Sequence, residues 1–157
     1  MPETTGLARK LQSEGDRTIE FFGALGDADW QKEVYTEGTV WTVRSIFAHL
    51  VTAERAFLSQ LFPNVREGKG GASEEFSIDR FNARQQEKTQ EQTPEELMKQ
   101  FRTIRAGMVA WVSALDHQDL EKSGRHPFLG PTTLREMIKM VYLHNQVHAR
   151  DVKRVLR

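Results

Sequence analysis

Apolar side chains recur every three or four residues along four long stretches of this chain, and that spacing limits what it can fold into. After "QTPEE", Leu97, Phe101, Ile104, Met108, Trp111 and Leu115 share one helical face. Leu7, Leu11, Thr18, Phe22 and Leu25 do the same in a segment from about Thr5 to Leu25. Val43, Ile46, Leu50, Phe57 and Leu61 follow "VWTVRS", and Leu134, Met137, Val141, Val152 and Val155 lie near the C-terminus. A helix with one apolar stripe must bury it against another element, and four such helices make a bundle the simplest solution. No segment combines strand alternation with turn dipeptides, so the expected fold is all-α, a four-helix bundle in a single domain, 1–157.

The helix ends carry their own signals. Thr42 is placed to cap the second helix, with Trp41 before it stapling onto Ile46, and Pro63 is expected to end it. Thr93, Pro94 and Glu96 form a capping box with proline at the first helical position. Thr133 and Glu136 repeat the box for the last helix, whose final turn carries Lys153, Arg154 and Arg157 against the negative end of its dipole. Between the second and third helices lie about 30 residues, more than a tight antiparallel turn needs. They hold a glycine-rich loop, "REGKGGAS", read as mobile, and a short polar helix, "SIDRFNARQQEKTQ". A connection of that length crosses the bundle from end to end and gives up-down-down-up order.

Composition narrows the function. Lys+Arg and Asp+Glu both number 22, so there is no basic excess to hold nucleic acid. No apolar run reaches the ~18 residues of a membrane span, and "MPETTGLARK" has no leader pattern. There is no cysteine, which excludes disulfides and zinc–cysteine sites, points to a cytoplasmic home, and requires any reacting thiol to come from outside.

In "YLHNQVHARD", His144 and His148 stand four apart and fall inside the apolar stripe between Val141 and Val152. They are either core histidines hydrogen-bonded to neighbours or a pair turned toward one metal ion. His49 lies at the edge of the second helix's stripe, in line with the small residues Ser45, Ala53 and Ala56, which leave a concavity. Three neutral imidazoles bind a divalent cation and leave positions open for substrate. Nitrogen ligands suit zinc, nickel and iron alike. Asp151, three residues past His148, either orients that ring through its free N–H or forms a surface pair with a nearby Arg or Lys. His117 and His126 are read as solvated. Asn145 follows His144, so the H-E-x-x-H motif of zinc proteases is absent.

"WTVRSIFAHLVTAERAFL", "FSIDRFNARQ" with Asp79 and Asn82, and "MVYLHNQVHARDVKRVL" together resemble the DinB/YfiT-like family of helical-bundle metalloenzymes. The resemblance spans nearly the whole chain. It implies an up-down-down-up bundle, often a homodimer, with a divalent metal held by His49, His144 and His148. The relatives' chemistry implies a thiol-dependent transferase or isomerase, with mycothiol, bacillithiol or glutathione as co-substrate and a small-molecule electrophile as substrate, or else a metal-dependent hydrolase. A non-catalytic bundle that binds a small molecule or a partner helix is the remaining reading. After the last histidine, relatives often carry an Arg-Gly-Gln-Ile type run, where this chain has "ARDV".

Overall fold

A computed structural model describes residues 2–157. Its long helices are α1 (Glu3–Gly23), α3 (Val43–Ala56), α6 (Pro94–Ser113) and α7 (Leu134–Val155). Shorter helices are α2 (Asp27–Trp30), α4 (Phe62–Arg66) and α5 (Ile78–Thr89). Two antiparallel hairpins complete the fold, β1 (Glu33–Tyr35) with β2 (Trp41–Thr42), and β3 (Ser123–His126) with β4 (Gly130–Thr133). Strands of two to four residues are too short to show alternation in a sequence, and each simply leads the chain into a long helix. Among the described residues no helix is long and apolar enough to cross a membrane.

Three of the four long helices start at a threonine cap, whereas α1 follows Pro2 with no side-chain cap. Thr42 Oγ1 accepts from Ser45 N, Thr93 Oγ1 from Glu96 N, and Thr133 Oγ1 from Glu136 N. At Thr93 the box is closed, because Glu96 reaches back to the Thr93 N–H at 3.1 Å. Pro63 does not end the second helix. A π-helical turn, Phe57–Leu61, widens the backbone, and Pro63 falls in the first turn of α4, where its missing N–H costs no hydrogen bond.

The bundle order follows from which helix ends pack together. One apolar cluster gathers the start of α1, the α4 end of the second helix, the end of α6 and the start of α7, with Leu11, Phe62, Met108 and Met137 fully buried. The other gathers the opposite ends, with Phe22, Phe47, Leu97 and Val152 fully buried. Burying such a side chain contributes about 1.5–3 kcal/mol. This arrangement is up-down-down-up, with α1 and α3 each packed against both α6 and α7.

The crossover from α4 to α6 runs along the bundle on the α3 side. Its loop is packed by backbone contact. Ala72 N donates to Arg125 O at 2.7 Å, and a Cβ at Gly71 would lie 2.2 Å from that oxygen, so only glycine fits there. Helix α5 spans about 18 Å. Gln86 donates to Ser45 O at 2.8 Å and Arg44 to Thr89 O at 3.0 Å, which fastens the crossover to the start of α3.

Between the two apolar clusters lies a polar layer centred on Arg105 of α6, which is 2 % exposed. Its guanidinium donates to both carboxylate oxygens of Glu54 on α3, each at 2.7 Å. It also donates to Leu11 O on α1 at 2.9 Å and to Asn145 Oδ1 on α7 at 2.5 Å. All four long helices meet at this one side chain. Gly15 makes the approach to α1 possible, because a Cβ there would stand 2.8 Å from Nη1 and 2.9 Å from Cγ of Arg105. Gly15→Ala should therefore destabilise the protein by about 1–3 kcal/mol in urea unfolding, although alanine is the better helix former by ~1 kcal/mol. A stabilised variant would mean that Arg105 has other room to occupy.

Candidate metal centre

His49 lies two turns into α3, and His144 and His148 lie one turn apart on α7. Because α3 and α7 are packed neighbours, the three rings meet at one point. His144 Nε2 is 2.9 Å from His49 Nε2 and 3.0 Å from His148 Nε2. One nitrogen from each ring lies within 4.8 Å of the other two. Ring centroids are 4.6–5.1 Å apart and the planes nearly perpendicular, so edges rather than faces converge.

Burial is the main force on their protonation. It presses His49 down to about 4 and His144 to about 2, with the neighbouring histidines adding to both shifts, and it lowers His148 against the opposing pull of Asp151. At neutral pH the rings are uncharged, the form that carries a free lone pair. Nitrogen ligands of a tetrahedral divalent cation stand about 3.3 Å from one another. The two spacings to His144 Nε2 differ from that by a few tenths of an ångström, and one nitrogen of each ring lies within 4.8 Å of the other two, so this donor set can hold such an ion.

Two elements outside the four-helix core hold the outer edges of these rings. The Asn82 side chain on α5 hydrogen-bonds His49 and raises its pKa against the larger effect of burial. Tyr35 on β1 places its Oη 2.8 Å from His148 Nδ1 and 2.6 Å from Asp151 Oδ2. Trp41 on β2 lies 5.1 Å from the His49 ring and 6.3 Å from Tyr35, walling that side. Asp151 thus reaches His148 through Tyr35 rather than directly. Its other oxygen has a loose contact with exposed Arg154 at 3.8 Å. Two of the small residues in line with His49 are themselves covered. Ala53 is buried in the core, and Ser45 is engaged with Thr42 and overlain by Gln86.

The remaining histidines separate. His117 is solvated, its side chain 69 % exposed and 3.5 Å from Glu3. His126 corrects the sequence reading, being 2 % exposed inside the β3–β4 hairpin. Its Nδ1 accepts from Phe128 N and Leu129 N at 3.0 and 3.1 Å, so its proton sits on Nε2. That buried Nε2 has no hydrogen-bond partner among the described residues, and burial presses the ring down to about 4. The loop's turn chemistry hid this, because a histidine before proline ordinarily reads as exposed. Tyr35 carried no local signal, since it lies 113 residues from His148 in sequence.

These shifts predict an acid-sensitive apo-protein. Unfolded imidazoles take up protons below about pH 6.5, whereas His49 and His126 resist until about 4, so the stability they confer is complete above 6.5 and lost as pH falls toward 4. In urea unfolding with chelator present, stability near pH 5 should be lower than at pH 7.5 by about 2 kcal/mol for each of the two. A flat profile over that range would contradict the burial argument.

A search of curated proteins finds no match. Among solved structures, YfiT from Bacillus subtilis, described as a probable metal-dependent hydrolase with an unusual four-helix bundle topology, superposes with a TM-score of 0.72 at 15% identity. That match covers 98% of this chain and 83% of YfiT. The mycothiol-dependent maleylpyruvate isomerase superposes with a TM-score of 0.72 at 17% identity, covering 97% of this chain and 61% of the isomerase. A histidine-to-alanine mutant of that isomerase gives 0.69 at the same identity. This chain therefore spans less than two thirds of the isomerase's length, and at these identities the likeness is one of fold. The model of the DinB superfamily matches residues 10–152, nearly the whole chain, and the protein belongs to that superfamily.

Proposed function

We propose that the protein is a divalent-metal-dependent enzyme, with His49, His144 and His148 holding the cation and a small thiol serving as co-substrate in transfer to, or isomerisation of, a small electrophile. The observation that carries this reading is the convergence of three neutral imidazoles from two helices, with His144 Nε2 at 2.9 Å from His49 Nε2 and 3.0 Å from His148 Nε2 and one nitrogen of each ring within 4.8 Å of the others. Three protein ligands are the usual complement of a catalytic rather than a structural zinc-type site. A cation there would lower the pKa of a bound thiol or water and polarise a carbonyl.

The chain's own residues supply position and shelter. Tyr35 holds the outer nitrogen of His148, Asn82 hydrogen-bonds His49, and Trp41 shields one flank. With no cysteine in the chain, no internal thiol competes for the cation. The similarity to a mycothiol-dependent isomerase supports the thiol reading. The similarity to YfiT supports the second reading, hydrolysis by an activated water. Asp151 is the carboxylate tied to the triad, and it is already engaged as the acceptor of the Tyr35 hydroxyl's hydrogen bond. This ranks hydrolysis second.

Protein purified without chelator should carry about one equivalent of transition metal per chain, and His49→Ala should lower this to below about a tenth while retaining the helical circular dichroism signal. Metal-free wild type from several expression conditions would refute the proposal. With metal loaded, turnover of an α,β-unsaturated or other electrophilic acid only when mycothiol, bacillithiol or glutathione is added supports the transferase. Ester or amide cleavage without thiol would replace it with the hydrolase.

A further inference from the structure

We infer that Tyr35 is a positioning residue that sets the tautomer of His148 and links that ring to the Asp151 carboxylate, an inference that rests on the metal-site reading above. The argument is one of proton counting. Tyr35 Oη touches two groups, His148 Nδ1 at 2.8 Å and Asp151 Oδ2 at 2.6 Å, and a phenol has a single proton to give. An ionised carboxylate only accepts, so the proton goes to Asp151. The imidazole Nδ1 must then carry its own hydrogen and donate it to Oη, since two bare acceptors would otherwise face each other.

The consequence lies on the far side of the ring. A neutral imidazole with its proton on Nδ1 presents a lone pair at Nε2, the atom 3.0 Å from His144 Nε2. In water a histidine favours the opposite tautomer, which would aim a proton at the centre of the triad. Tyr35 thus holds His148 ready to ligate, with Asp151 adding negative charge behind it. Tyr35 comes from a hairpin rather than the bundle, and Trp41, packed between Tyr35 and His49, keeps that hairpin in place.

Two measurements test this separately from the metal reading. In chelator-treated protein, imidazole nitrogen chemical shifts should place the His148 proton on Nδ1 in wild type and move it largely to Nε2 in Tyr35→Phe. A proton on Nε2 in wild type overturns the relay whether or not metal binds. In competition titrations with zinc, Tyr35→Phe should bind about 10–100-fold more weakly than wild type. Asp151→Asn, which keeps an acceptor oxygen but removes the charge, should lose only about several-fold, and it supplies the test if Tyr35→Phe folds poorly. Wild-type affinity in Tyr35→Phe, with affinity lost in His148→Ala, refutes the inference and leaves the metal site standing. Failure of wild type to bind zinc, nickel or iron refutes the metal site, and the nitrogen shifts still decide whether the relay exists.

Discussion

The Arg105 guanidinium is the point on which the four helices agree. It is held by Glu54, Leu11 O and Asn145 at 2.5–2.9 Å, and its burial leaves no water to replace any of them. A buried ion pair adds little net stability over a well-packed apolar substitute, because both charges lose their hydration. What it adds is selection of register. An apolar stripe can slide by one turn and still bury itself, whereas a carboxylate, an amide and a backbone carbonyl must all meet one planar fork. Sliding any helix leaves a buried charge or donor unpaired, at a cost of several kcal/mol.

That register also sets the histidine triad. Asn145 is the residue after His144, and Glu54 lies on α3 a little beyond one turn from His49. The same polar layer that splits the core into two apolar clusters therefore fixes the relative height of α3 and α7, the two helices that bring the imidazoles together. Lone pairs from separate helices can share one small ion only if that height is correct to a few tenths of an ångström. The precision of the site is thus inherited from a network that does not touch it.

The elements outside the bundle have a complementary part. Helix α5 on the crossover brings Asn82, and the β1–β2 hairpin brings Tyr35 and Trp41. A parallel pair of neighbouring helices, α3 and α6, requires a long crossover, and here that obligatory segment delivers a support for His49 on its way. The topology and the site are consequences of the same connection.

Apolar periodicity was enough to find the four long helices, and the Thr42, Thr93 and Thr133 caps were legible beside it, because both depend on neighbours within four residues. The polar layer was also written in the sequence, though without its meaning. Arg105 sits four residues after Phe101 and three before Met108, and Asn145 four after Val141, so both lie on apolar stripes where a charge or amide must find a partner. His49, His144 and His148 could be nominated from spacing and family resemblance, but not their meeting, which needs the packing of α3 on α7. Tertiary structure alone decided the Tyr35 contact across 113 residues, the burial of His126 in its hairpin, and the passage of the second helix through Pro63. Each depends on groups brought together by the fold after the local structure has formed, and side-chain periodicity within a helix carries no information about what arrives from elsewhere in the chain.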